Sequence, residues 1–142
     1  LSNFNENQIE RVYRCAEIKP HNLQIEIHAY MQQAKLCDYC KANNITVTAY
    51  APIGSPGRKA FNPNGYWPEG EPLKDPVISE IAKRHNKTPA QVLLRNLIQR
   101  GISVIPKSIN AEHIQENINI FDFKLTDDEM KQIEQINRDI RL

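Results

Sequence analysis

The chain has 142 residues, enough for one ordinary domain or for half of a large barrel. Its 18 Lys and Arg nearly balance 17 Asp and Glu, leaving a formal charge of +1. It therefore lacks the basic stripe that tracks a phosphate backbone, and a nucleic-acid partner is excluded. At 40% hydrophobic and 25% charged the composition is globular rather than disordered, and no apolar run approaches the roughly 20 residues that span a bilayer.

The sequence opens Leu1-Ser2-Asn3, with no initiator Met and no charged-then-apolar leader, and is expected to be a piece of something longer. Asn5-Glu6-Asn7-Gln8 predicts a capped helix, with Ile9, Val12 and Ala16 at helical spacing. Leu23 to Ile27 reads as a short buried strand. A helix follows from about Gln33 to Ala42 and ends at Asn43-Asn44. Ile45 to Tyr50 is a second strand. Pro52 to Pro76 then holds six of the nine prolines, four of the five glycines, Phe61, Tyr66 and the single tryptophan, Trp67. Asp75-Pro76 opens a helix running toward His85. Thr88-Pro89-Ala90-Gln91 is a capping box with Pro at the first helical position, and Gly101 closes that helix. Ile102 to Ile105 is a third strand, Asn110 opens a helix through Asn117, and Thr126-Asp127-Asp128-Glu129 is a further capping box.

Each strand is preceded by a helix and a brief polar turn, the order that builds a parallel α/β sheet. Both a doubly wound open sheet and an arc of a (β/α)₈ TIM barrel satisfy this order. The open dinucleotide-binding sheet would carry G-x-G-x-x-G after a strand, and no such run exists here. A complete barrel needs roughly 250 residues, so this chain reads as its second half, with two exposed strand edges. A connection as long as 52–76 is expected to be a lid or binding loop, a tolerated surface insertion being the alternative.

Three cysteines, an odd number, argue for a reducing cytoplasm over a secreted disulfide framework. Cys37-x-x-Cys40 has redox or zinc spacing but lies mid-helix with no second pair, and structural packing is the favoured reading. His21, His28, His85 and Cys15 share no ligand spacing, so no metal is expected. Glu10, Glu17 and Asp127-Asp128-Glu129 read as solvated helix faces, and Phe121 with Phe123 as a core plug.

Several motifs together resemble the aldo-keto reductases. They are Ser2-Asn3-Phe4-Asn5; Gln24-Ile25-Glu26 with His28 and Tyr30; Thr48-Ala49-Tyr50-Ala51-Pro52-Ile53-Gly54-Ser55-Pro56; Val104-Ile105-Pro106-Lys107-Ser108; Glu116-Asn117; and Phe121-Asp122-Phe123-Lys124-Leu125. The resemblance implies the C-terminal half of a (β/α)₈ barrel, from the end of strand five to beyond helix eight. It also implies an oxidoreductase that reduces aldehydes and ketones to alcohols with NADP(H) across the C-terminal rim. By position, Ser2, Asn3 and Gln24 resemble the ligands of the nicotinamide carboxamide, and Tyr50 the tyrosine stacked on its ring. Pro52, Ile53 and Ser55 begin a stretch, Ile53 to Phe61, resembling the loop over the pyrophosphate. Lys107 and Ser108 fall at the 2′-phosphate grip, Ile109 and Asn110 follow as further cofactor-binding positions, and Glu116 and Asn117 fall where adenine is read. Chemistry agrees with these positions: Gln24 and Asn3 offer both donor and acceptor, and Lys107 stands just past a strand as a point charge suited to phosphate.

Two departures stand out. His113 occupies a position that is usually Arg, so discrimination against NAD(H) is expected to be relaxed. Leu23 replaces a common Asn and Ala29 a common Pro, changes expected to alter packing. The family's catalytic Asp, Tyr, Lys and His have no counterpart here; they lie upstream of Leu1, so this chain alone is expected to bind without reducing. A small carbonyl substrate is implied, its pocket walled by Phe61, Tyr66 or Trp67. The missing barrel half, or self-association, is expected to cover the edges. The alternative is a non-catalytic nucleotide-binding or interaction protein on the same scaffold, since a fold does not certify an activity.

Overall fold

The computed structural model describes all of residues 1–142 and contains a parallel sheet flanked by helices. Helix α1 is Glu6–Cys15, strand β1 Asn22–Glu26, helix α2 Ala34–Ala42 and strand β2 Thr46–Tyr50. A short helix α3, Arg58–Phe61, and a 3₁₀ turn, Pro72–Lys74, lie within the long loop. Helices α4 (Pro76–His85) and α5 (Pro89–Gln99) follow, then strand β3 (Ser103–Val104) and helices α6 (Ala111–Ile118) and α7 (Asp127–Gln135). The strands lie in the order β1-β2-β3, all parallel. Ser2 bridges Gln24 in parallel, and Asn3 N–H donates to the Gln24 carbonyl at 2.9 Å, so the first residues lie alongside β1. No helix is long and apolar enough to cross a membrane.

The capping boxes form as their spacing requires. At Asn5/Gln8, Thr88/Gln91 and Thr126/Glu129 the cap side chain accepts from the backbone of the third helical residue while that residue's side chain accepts from the cap. Gly101, at φ +75, ends α5 in the left-handed conformation that glycine adopts without strain.

Register then divides the sheet into two chemistries. Leu23 pairs with Val47 and Ile25 with Ala49. These residues join Ile27, Ile9 of α1, Cys40 of α2, Leu97 of α5 and Ile102 in one buried cluster. Because successive strand residues point to opposite faces, Asn22, Gln24, Glu26, Thr46, Thr48 and Tyr50 lie on the other side. A second cluster packs α4, α5 and α7 through Ile78, Ile81, Val92, Leu93 and Ile133. Helix α5 serves both clusters.

The structure corrects several expectations. Strand β1 runs one residue earlier than 23–27, β2 is one residue shorter than 45–50, and β3 keeps only two residues of 102–105. Pro106 has no N–H to extend it, although Ile105 N–H still reaches the Ala49 carbonyl at 3.3 Å. Glu129 is buried rather than solvated. Its carboxylate accepts from Thr126 N–H at 2.9 Å, lies 2.8 Å from His85 Nε2 and pairs with Arg84 at 3.3 Å. Burial raises its pKa, but the His85 and Thr126 bonds outweigh that and hold it below the usual carboxylate range. Phe121 is not a plug, being 65% exposed; Phe123 is half-buried under Lys87 and His85. The three thiols are free. Cys40 is fully buried, and burial pushes its pKa up to about 11, which suits packing and not redox chemistry.

Ile9 is the only buried residue of α1 and ties that helix to the sheet. Ile9→Ala is expected to lower stability by about 2–5 kcal/mol, read as a lower denaturant midpoint with unchanged slope. A loss below about 1 kcal/mol would mean that α1 is not packed as described.

Candidate functional site

The exits of β2 and β3 open into a groove of about 530 Å³. Tyr50 ends β2, and the chain then turns through Ala51 (φ +51), Gly54 (φ +84) and Ser55 (φ +48). Left-handed non-glycine residues are strained by roughly 1–3 kcal/mol each and gather at sites where the backbone is held for a purpose. At Gly54 an added Cβ would stand 2.6 Å from Pro72 Cδ, so only glycine lets the two arms of the loop meet there. Pro52, Ile53, Ser55, Phe61 and Trp67 wall one side of the groove, and Ile105 and Lys107, from beyond β3, the other.

The residues expected to meet a carboxamide lie beside this groove. Tyr50 hydroxyl donates to Asn3 Oδ1 at 3.0 Å, Asn3 Nδ2 donates to Ser2 Oγ at 3.3 Å, and Gln24 bridges Ser2. Ser2, Asn3, Gln24 and Tyr50 thus share the rim at adjacent strand exits. The segment after Lys107 is held differently. Asn110 N–H donates to Ser108 Oγ at 3.1 Å, and Asn110 Oδ1 caps α6 by accepting from Glu112 N–H at 2.8 Å and His113 N–H at 3.3 Å. His113 and Ile109 are exposed, while Glu116 and Asn117 are half-buried. None of Ser108, Ile109, Asn110, His113, Glu116 and Asn117 lines the groove; they extend from its Lys107 end along α6.

The aromatic residues of the loop divide. Trp67 Nε1 donates to the Asn62 carbonyl at 2.8 Å, which turns the indole into the groove wall. Phe61 reaches the groove edge yet stays 92% exposed. Tyr66 lines no part of it and is 91% exposed, because the turn that aims Trp67 inward leaves its neighbour outside.

Two features escaped the sequence reading. Arg58 was not singled out, yet it is buried and lines the groove. Glu26 and His28 entered only as motif letters, although they form a buried pair at the exit of β1, His28 Nε2 lying 3.0 Å from Glu26 Oε1. The C-terminal residues fold back onto this pair. Leu142 N–H donates to Glu26 Oε1 at 2.7 Å, and Arg141 lies 3.4 Å from Oε2. Close by, Tyr30 hydroxyl donates to Asp75 Oδ2 at 2.7 Å under the Arg138 guanidinium, which stacks 3.9 Å from the ring. Burial and the Asp75 bond push the Tyr30 pKa up to about 12. The signal for the Glu26 pair was its i, i+2 spacing, which puts both side chains on one strand face.

The aldo/keto reductase family profile matches residues 1–138. The chain belongs to the aldo/keto reductase family. It is 48% identical over 141 residues to aldo-keto reductase family 1 member A1-A of Danio rerio, covering 99% of this chain and 42% of the relative. It is 44% identical to the 9,11-endoperoxide prostaglandin H2 reductase of Trypanosoma cruzi, covering 100% of this chain and 46% of that protein. Among solved structures, the aldose reductase of Schistosoma japonicum aligns with a TM-score of 0.86 at 44% identity, over 99% of this chain and 42% of that one. An aldo-keto reductase complexed with NADPH aligns with a TM-score of 0.86 at 38% identity, again over 99% and 42%. The chain therefore spans less than half the length of these relatives, and its parallel strands and helices are part of their (β/α)₈ barrel.

Burial raises the Glu26 pKa, but the bonds from His28 and Leu142 and the charge of Arg141 outweigh it and leave the carboxyl below its ordinary value of 4.5. A depressed folded pKa gives stabilisation that is present above that ordinary value and lost as pH falls through the folded one. Hydrogen exchange at Arg141 and Leu142 is accordingly expected to accelerate on acidification below 4.5 relative to the rest of the chain. Glu26→Gln is expected to show fast exchange there already at neutral pH, with a flatter acid dependence. Identical tail protection in the two proteins would mean that Glu26 does not hold the tail.

Proposed function

We propose that residues 1–142 form the cofactor-binding half of an NADP(H)-dependent oxidoreductase that reduces aldehydes or ketones to alcohols. The observation that carries this reading is the meeting of Tyr50, Lys107 and the 52–76 loop around one groove at the exits of adjacent parallel strands, where barrel sites form. The groove fits such a ligand chemically. Tyr50 offers an aromatic face, Ile53, Trp67 and Ile105 offer apolar walls, and Lys107 offers a cation with no carboxylate within 4.0 Å. The relative solved with NADPH supports the choice of cofactor.

In this reading Ser2, Asn3 and Gln24 hold the carboxamide, their amides supplying both donors and acceptors. Tyr50, fixed by its bond to Asn3, stacks on one face of the nicotinamide ring. Pro52, Ile53 and Ser55 cover the pyrophosphate. Lys107, Ser108, Ile109 and Asn110 meet the 2′-phosphate, and Glu116 and Asn117 the adenine. The nicotinamide, when bound, supplies the hydride. The chain's own residues bind and orient it and shield one ring face from water, and none of them is a proton donor for the carbonyl. That role falls to the part of the relatives' length that this chain does not span. Phe61 and Trp67 wall the substrate side.

The same reading gives a role to the exposed apolar residues Ile105, Ile109, Ile114, Ile118 and Phe121 beside the free edge of β3: they dock the remaining barrel half or, failing that, a second copy of this chain. The three free thiols support a reducing compartment, the cytoplasm.

Trp67, the single tryptophan, reports on the groove. NADPH is expected to quench its emission saturably, and this chain alone is expected not to oxidise NADPH in the presence of an aldehyde. Steady turnover by the isolated chain would refute the division of labour. Arginine carries a permanent charge and a bidentate fork that histidine lacks, so His113→Arg adds a charge-assisted contact of roughly 1.5–3 kcal/mol. It is expected to tighten NADPH by about 10- to 100-fold and to leave NADH unchanged; equal NADPH constants before and after would remove His113 from the site.

A further inference from the structure

The 52–76 loop turns on a single side chain. Arg58 is 7% exposed, and its guanidinium joins the two arms of the loop. Nη1 donates to the carbonyls of Gly54 at 2.9 Å and Ser55 at 3.4 Å; Nη2 donates to those of Pro68 at 3.2 Å and Gly70 at 2.8 Å. Residues 55–68 are therefore closed into a loop whose ends are held together by one fork of donors, a geometry that lysine cannot reproduce. The arms are seated on the rest of the fold at the same points: Gly54 against Pro72, and Gly70 (φ +146) against the Tyr30 ring.

The charge is as informative as the geometry. No carboxylate lies within 4.0 Å of Arg58, and its Nε is buried without a partner. A buried guanidinium whose direct partners are carbonyl oxygens keeps much of its positive potential, with Glu71 acting on it only at longer range. Arg58 lines the same groove as Lys107, so an anion entering the groove meets two cations that no carboxylate contacts within 4.0 Å.

We propose that Arg58 is a positioning residue that pins the 52–76 loop as the groove wall and so slows release of the anionic dinucleotide. This rests on the cofactor reading above, whereas the pinning of the loop is tested without any ligand. Three proteins are compared: wild type, Arg58→Lys, which keeps the charge but loses the fork, and Arg58→Gln, which loses the charge. In the absence of cofactor, acrylamide quenching of Trp67 is expected to rise several-fold in both variants, with unchanged far-UV dichroism. With NADPH, its dissociation rate is expected to rise by about 10- to 100-fold in both variants, more in Arg58→Gln.

Wild-type quenching of Trp67 in both variants would overturn the pin. A freed Trp67 with an unchanged NADPH dissociation rate would overturn the positioning role while leaving the cofactor reading intact. Failure of wild type to bind NADPH would remove the cofactor reading, and with it the positioning role, while the ligand-free quenching still decides the pin. Should the variants not fold, acrylamide quenching of wild-type Trp67 decides instead. Quenching well below that of free tryptophan is expected, and quenching equal to it would overturn the pin.

Discussion

The parallel register of β1 against β2 is the constraint on which the rest of the molecule depends. Pairing Leu23 with Val47 and Ile25 with Ala49 sends every second residue into the helices, where Ile9, Cys40 and Leu97 complete a dry cluster. The same register leaves Gln24 opposite Thr48 and Glu26 opposite Tyr50 on the other face. A slip of one residue would exchange the two sets, putting Glu26 among the aliphatic side chains and Ile25 on the rim. Core and candidate site are thus two readings of one alternation.

At the rim the backbone is held by polar groups that are themselves buried, and each finds partners there, Arg58 Nε excepted. Glu26 takes His28, Leu142 and Arg141; Asp75 takes Tyr30 and caps α4 through Val77 N–H; Arg58 takes four carbonyls. Burying such groups is unfavourable unless they are paired, so each network tolerates few alternative geometries. This is how segments with little regular structure, 52–76 and 137–142, acquire fixed positions. The two segments also touch: a Cβ on Gly54 would come within 3.4 Å of Leu142, and one on Gly70 within 3.5 Å of Ile140.

The parts legible in the sequence were those with local causes. The boxes at Asn5, Thr88 and Thr126 and the stop at Gly101 depend on residues a few positions apart, and each formed as read. Strand ends were less legible, because Ile27 and Ile45 are as apolar as their neighbours and only pairing decides where a strand stops. The role of Arg58 was not legible, since its acceptors lie up to 12 residues away in a loop without periodicity. Glu129 was misread for a related reason. Its capping function was visible, but its burial depends on His85 and Arg84 of α4, 44 and 45 positions earlier. The 52–76 wall of the groove was legible as a binding loop, but its meeting with Lys107 was legible only through the resemblance: Tyr50 and Lys107 stand 57 positions apart, and no spacing rule joins them.

The surface that faces no partner within this chain has two characters. On the polar sheet face Asn22 donates to Thr46 and Thr48 at 3.0 Å each, so part of that face pairs its own polar groups. The flank beside β3 differs: Ile109 is 90% exposed and Ile118 63%, and α6 buries no residue at all. An eight-residue helix is too short to be stable on propensity, and its Asn110 cap satisfies only two of its free N–H groups. Its remaining tether is the Gln91 amide, which donates to the carbonyls of Glu116 and Asn119. Helix α6 is therefore placed by hydrogen bonds at its two ends, while its apolar face points outward. In a barrel arc, that is where the next strand–helix unit closes on the sheet.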